Sequence, residues 1–446
     1  MSFDIIIHNG TIVTVNPDFD IIKDGVVYIK NGRLERIEPG SAGSMIPDAN
    51  EIIDAKGGII MPGLVNTHTH LPMSIFKGLA DDLPLMTWLN EHIFPAEAKH
   101  INAETVRLGS FLSCAEMILS GTTTCCDGYF FEDEVAKAVF DSGMRAILGQ
   151  GVIDFPAPGV PEPSDNVNKA VRFTDKWYNK SLLITPSIFC HSPYTCSEET
   201  LKKAKHAALS KNLLFQIHVA ETKNERDRIL SEKNFSPIKN LDNIGILDNN
   251  TLLVHSIWVD DDDIDIIANS GAKVSVCTES EMKLASGIAP VIKFLEAGIK
   301  VGLGTDGSAS NNDLDLFNEM DVTAKLHKVN ILDPTVMEAK AVFKLATIDG
   351  AGALGLDNET GSLETGKQAD IIIINVNKPH LVPMYNPVSH IVYSARGSDV
   401  QDVIIAGKVI VRDQKLLSFD LEDVLEKASL IGETIKGYKG SEEITL

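Results

Sequence analysis

Eight short apolar runs, each stopping at a polar side chain, constrain the fold of this chain more than any other feature. They lie at 58–65, 121–124, 145–154, 182–191, 214–221, 251–255, 273–277 and 300–306. Amphipathic helical stretches separate them, the alternation expected of a parallel sheet whose crossovers are helices. This pattern predicts an α/β fold, a (β/α)8 TIM barrel, in which side chains at the C-terminal strand ends converge over one face.

At 446 residues the chain exceeds the ~250 that a barrel typically uses. The surplus lies at the two ends. Residues 5–37 alternate through Gly10, Asn31-Gly32 and Pro39-Gly40 as short hairpins, and the runs 369–374 and 403–409 read the same way. Neither flank closes a stable sheet alone. The expected organisation is therefore residues 1–57 and 366–446 joined into one small β-sandwich domain, with residues 58–365 forming the barrel.

A net charge of −22 repels nucleic-acid backbones and anionic membranes, so no nucleic acid and no membrane is expected as a partner. A small neutral or cationic molecule fits better. The N-terminal segment has no basic region ahead of its apolar run, and no apolar stretch approaches the ~20 residues of a membrane span. Six cysteines without framework spacing argue against structural disulfides. A cytoplasmic location is expected. The acidic run 260–263 reads as a solvated helix start, and the proline-rich segment 155–165 as a loop after the third strand, of the kind that can wall an active site.

Ligand-type side chains stand at four strand ends. His68 and His70 follow the first run in Pro62-Gly63-Leu64-Val65-Asn66-Thr67-His68-Thr69-His70, where the two-residue spacing of a strand turns both imidazoles to one side. His218 stands in the fifth run, His255 ends the sixth and Asp306 the eighth. Imidazoles and a carboxylate projecting into one mouth suit a borderline divalent ion such as zinc, with a position left open for water, which is the arrangement of catalytic rather than structural sites. The same donors accept iron or manganese. Glu221, three residues past His218, is placed to move protons. The fourth strand end carries His191 and no lysine, so a bridging carboxylated lysine is lacking and one metal is expected. The His-x-Glu and Pro-Cys-x-x-Cys signature of cytidine deaminases is absent.

In barrel order these residues resemble the amidohydrolase superfamily. The likeness narrows in Ala80-Asp81-Asp82-Leu83-Pro84-Leu85-Met86, Pro95-Ala96-Glu97-Ala98, His191-Ser192-Pro193-Tyr194-Thr195, Lys283-Leu284-Ala285-Ser286-Gly287 and Gly304-Thr305-Asp306-Gly307-Ser308. These runs are similar to the 5-methylthioadenosine/S-adenosylhomocysteine deaminases. The resemblance implies a hydrolase acting on the C–N bond of a cyclic amidine. It makes His68, His70, His218 and Asp306 metal ligands, Glu221 the proton shuttle, His255 a polarising neighbour of the nucleophile, and Glu97 the acceptor for ribose hydroxyls. His191, Ser310 and Trp88 become further substrate contacts, and Glu221 and Asp306 also touch substrate. A homodimer or tetramer is the usual state of such enzymes. The alternative on the same scaffold is a deaminase of a free purine base, guanine or 8-oxoguanine, or a triazine hydrolase. The chain departs from the pattern in having no arginine between Arg145 and Arg172 to hold a homocysteine tail, which favours the methylthio substrate. It also has Thr278 and Glu281 where many relatives have Pro and Asn.

Overall fold

The structure, a computed structural model, describes residues 2–40 and 47–436. Among these residues, eight strands pair in parallel in strict chain order: Leu64–Thr69, Thr122–Tyr129, Arg145–Val152, Ile184–Cys190, Phe215–Val219, Thr251–His255, Lys273–Val276 and Val301–Leu303. The first and last close on each other through the turn past the eighth strand, where Thr305 N–H and Asp306 N–H donate to His68 C=O at 3.1 and 3.0 Å. Asn66 fastens the same seam, its Nδ2 donating to Thr305 Oγ1 at 2.8 Å. Gly304 is required there because a Cβ would stand 2.8 Å from His68 N. Helices between the strands bury their inner faces against the barrel, as in Ala103–Leu119, whose start is capped by Asn102 accepting from Glu104 N and Thr105 N. The acidic run starts a helix as expected, Asp260 capping Asp261–Ser270, but it is not solvated throughout: Asp263 is buried and accepts from Ser236 Oγ.

The apolar run 58–65 is not one strand. It divides at Gly63: Ile59–Pro62 pairs antiparallel with Ile371–Ile374, and only Leu64–Thr69 enters the barrel. Gly63 permits the crossing, since a Cβ there would stand 2.1 Å from Thr123 Oγ1. The second barrel strand is also longer than its apolar run implied, continuing to Tyr129.

The two flanks combine in a nine-stranded sheet that includes Phe3–Val13, Ile21–Lys30 and Arg33–Pro39 from the front, and Ile371–Ile374, Val400–Ile405 and Lys408–Arg412 from the back. Asn31 and Gly32, with φ of 51° and 75°, make the tight turn between its second and third strands. The four successive isoleucines of Ile371–Ile374 follow from the sheet's position between two cores. Ile371 and Ile373 face a core with Ile5, Ile7, Ile53 and Ile404, whereas Ile372 and Ile374 join the large core that fills the barrel and its helices. No described helix is long and apolar enough to cross a membrane.

A buried ion pair ties sheet to barrel. Arg145, on the third barrel strand, meets Asp370 through Nε–Oδ2 at 2.8 Å and Nη2–Oδ1 at 3.1 Å, and Asp370 also accepts from Thr360 Oγ1 and Ala406 N. Removing one partner strands the other charge away from water. Arg145→Ala is expected to lower stability by about 3–5 kcal/mol, measured by denaturant titration. A loss under about 1 kcal/mol would show that this contact is not a tie between the two layers.

Candidate active site

The barrel mouth collects the ligand-type residues on one face. His68 is the penultimate residue of the first strand and is fully buried, His70 follows that strand, His218 lies in the fifth, His255 ends the sixth, and Asp306 follows the eighth. His255 and Asp306 have left-handed backbones, with φ of 72° and 61°, as do Ala220 and Ser256 with 54° and 50°. Such conformations cost non-glycine residues about 1–3 kcal/mol each and persist where surrounding structure enforces them. They turn the chain sharply as it leaves each strand, aiming side chains into the mouth.

His68, His70 and His218 form a group able to hold one metal ion, with their donor atoms within 4.8 Å of one another. Asp306 Oδ1 lies 3.3 Å from His70 Nε2 and 3.6 Å from His68 Nε2. The chemistry of this donor set fits a cation. Burial holds the His68 imidazole down to about 4, lowers His70 and drives His218 well below its ordinary value, so all three are neutral, the ligating form. Burial would raise the Asp306 carboxyl, but the neighbouring imidazoles outweigh it and keep the group ionised. His68 Nε2 and His218 Nε2 face each other at 3.1 Å. A cation accepts both lone pairs. Without one, a ring must turn its proton inward, and His68 Nδ1 is already a buried atom lacking a hydrogen-bond partner. His70 is set by Gly128, whose carbonyl lies 2.6 Å from Nδ1, leaving Nε2 toward the cluster.

One cavity joins this cluster to the other residues singled out in the sequence. His70, His218, His255 and Asp306 line its floor; Glu97, His191, Glu221, Trp88 and Ser310 stand around it. Glu221 is partly buried, and loss of hydration raises its carboxyl, with Ser286 Oγ donating to Oε1 at 3.5 Å. Glu97, on the helix Phe94–His100, is 5% exposed, and burial lifts it to about 7 against the opposing hydrogen bond from Tyr129. His191 Nδ1 lies 2.9 Å from Thr195 Oγ1. Ser310 Oγ lies 2.8 Å from Asp306 Oδ2, so its hydroxyl is engaged by that carboxylate. The loop residues Phe155, Pro156, Ala157 and Pro158 do form a wall.

Several residues of the site escape sequence reasoning. Tyr129 donates to Glu97 Oε1, and Asp127 Oδ1 accepts from Leu71 N at 2.6 Å, bracing the turn beyond His70. Both lie on the part of the second strand that the apolar pattern did not reveal. Glu225 accepts from Ala220 N and Glu221 N at 2.8 and 2.9 Å, fixing the backbone that carries Glu221. Its signal was present in Thr222-Lys223-Asn224-Glu225, the spacing of a helix-capping box, although here the glutamate reaches past the capping residue.

The amidohydrolase family model matches residues 59–410. The chain belongs to the amidohydrolase family. It is 43% identical over 433 residues to a 5-methylthioadenosine/S-adenosylhomocysteine deaminase of Syntrophobacter fumaroxidans, covering 97% of this chain and 98% of that one. It is 44% identical, with the same coverage, to a 5'-deoxyadenosine deaminase of Methanosarcina mazei. Among solved structures, an adenosine deaminase from Xanthomonas campestris with bound zinc superposes with a TM-score of 0.95 at 33% identity, over 98% of this chain and 99% of that one. The Escherichia coli guanine deaminase shares the fold at a TM-score of 0.82 and 22% identity, over 91% of this chain and 99% of that one.

If the imidazole cluster holds the ion, His218→Ala lowers the divalent metal retained after dialysis from about one per chain to a small fraction of that. Elemental analysis by mass spectrometry measures it. Full retention would place the metal elsewhere.

Proposed function

We propose that this amidohydrolase hydrolytically deaminates the adenine ring of 5'-methylthioadenosine and/or S-adenosylhomocysteine, giving the inosine analogue and ammonia. One observation carries the reading: a buried carboxylate, Glu97, stands in the same cavity as the His and Asp cluster, with one oxygen already held by Tyr129. A carboxylate so fixed can accept from vicinal ribose hydroxyls, which a free base lacks. The relatives named for 5-methylthioadenosine, S-adenosylhomocysteine and 5'-deoxyadenosine differ in the 5' group and share the adenine nucleoside.

When bound at the cluster, a divalent ion, zinc in this reading, supplies the Lewis acidity that makes water nucleophilic near neutral pH. The remaining steps belong to side chains. His68, His70, His218 and Asp306 are assigned as ligands. Asp306 also takes the proton of the attacking water, and His255 orients that water toward C6 of the ring. Burial would lower the His255 imidazole, but Glu221, Glu281 and Asp306 outweigh it and raise it to about 9. Glu221, with its carboxyl raised by burial, protonates ring N1 so that the ring accepts electrons as the C–O bond forms. A proton passed to the amino group then lets the C–N bond break, releasing ammonia. His191 and Trp88 bound the substrate.

The outer cavity supports a preference within this class. Leu85, Trp88, Phe94, Phe130, Phe155 and Pro158 line it, and no lysine or arginine does among the described residues. A methylthio group gains from apolar burial there, whereas the zwitterionic homocysteine tail loses hydration without gaining a cationic partner.

Assay of ammonia release on methylthioadenosine, S-adenosylhomocysteine, adenosine, adenine and guanine tests the reading, with methylthioadenosine expected first and the free bases last. Turnover confined to a free base would overturn the substrate and leave the metal site. Glu221→Gln is expected to keep its metal and lose about 10²–10⁴-fold in kcat; near-normal turnover would remove Glu221 from the mechanism. Because burial pushes the Glu97 carboxyl up to about 7 and the group accepts best when ionised, kcat/KM for the nucleoside should rise with pH through that value. Glu97→Ala should abolish this limb, and its persistence would assign it to another group.

A further inference from the structure

Glu281 is 3% exposed and takes no part in the ligand set or the proton transfers above. It lies in the first turn of the short helix Thr278–Lys283, immediately after the seventh strand. Its Oε1 accepts from Cys277 N at 2.9 Å and lies 3.3 Å from His255 Nδ1. The preceding residue, Ser280, donates to Asp306 Oδ2 at 2.8 Å. Adjacent side chains of one helical turn thus diverge to two strand ends, and each reaches a group that faces the cavity floor.

His255 has a specific need for such a partner. Its ring stacks on that of His218, with centroids 5.4 Å apart and planes 27° from parallel. Stacking is indifferent to a half-turn of the ring about its Cβ–Cγ bond, which exchanges Nδ1 with Cδ2 and Nε2 with Cε1. Only a directional hydrogen bond distinguishes the two faces of that flip. The strained backbone at φ 72° positions the ring and leaves the flip undecided.

We propose that Glu281 is a positioning residue for His255, selecting the ring orientation that sets Nδ1–H on the carboxylate and turns Nε2 to the cavity. Nδ1 carries its proton in both charge states of the ring, so the contact holds whether His255 is neutral or cationic. The proposal rests on the reading of His255 as the group that orients the attacking water. The link to Cys277 anchors the carboxylate to the strand end, so the acceptor oxygen cannot follow the ring if it turns.

Glu281→Ala and Glu281→Gln test it in the metal-loaded enzyme, using whichever substrate of the panel the wild type turns over best, so that an error in the substrate leaves the comparison intact. Glu281→Ala should lower kcat about 10–100-fold, with KM, metal content and Tm little changed. Glu281→Gln retains an acceptor oxygen at the same reach and should restore most of kcat. Unchanged kcat in the alanine variant would overturn the proposal, as would a glutamine variant as impaired as the alanine one, or a loss of activity that tracks loss of metal or of Tm. Independently of turnover, nitrogen-15 spectra of histidine-labelled protein, with His255 assigned by its loss in His255→Ala, should show a protonated, hydrogen-bonded Nδ1 that disappears in Glu281→Ala. An Nδ1 signal unaffected by that substitution would also overturn it.

Discussion

The closing seam of the barrel governs the rest of the molecule. A single carbonyl, that of His68, accepts from the Thr305 and Asp306 N–H groups beyond the eighth strand, and the side chains of His68 and Asp306 approach each other across that junction. Closing the sheet and bringing His68 and Asp306 together are one event, because the first and last strands bring their polar ends together only when the barrel is complete. Gly304 permits the approach by lacking a Cβ. The arrangement explains why the site tolerates left-handed backbone at His255 and Asp306: continuous hydrogen bonding around the barrel holds the strained ends in place.

Around that seam the cavity divides into a polar floor and an apolar wall. The floor sets the His70 and His218 imidazoles, which burial keeps neutral, beside His255, which its acidic neighbours raise, and near carboxyls with opposed tendencies, Asp306 held ionised and Glu221 pushed toward its acid form. Two carboxyls with environments that separate their proton affinities can serve as acceptor and donor in one reaction. The wall carries shape rather than charge. It is built from the third-strand loop and the helices following the first strand, elements whose length and sequence can change without disturbing the barrel.

Much of this was legible in the chain. A strand running into His68-Thr69-His70 announces its geometry through the two-residue alternation, His255 and Asp306 each stop an apolar run, and His218 stands near the end of one. What stayed hidden depends on tertiary packing. The second strand is rich in threonine and cysteine, so its continuation through Asp127 to Tyr129 has no aliphatic signature, and the partners of His70 and Glu97 went unseen with it. The division at Gly63 was concealed because both halves of the run are buried on both faces, leaving no change of pattern where the chain passes from one sheet to the other. Glu281 and Ser280 are surface-like residue types in a short helix, and only the fold turns them inward.

The pairing of Ile59–Pro62 with Ile371–Ile374 bears on how the molecule comes into being. The segment that leads directly into His68 finds one of its neighbours near the other end of the polypeptide. During synthesis that edge stays open until Ile371–Ile374 has emerged, exposing apolar backbone that invites pairing with the wrong partner. The contact is among the most distant in sequence, and such contacts form slowly. Assembly of the histidine cluster is therefore tied to late arrival of the C-terminal sheet, which supports the segment leading into the first barrel strand.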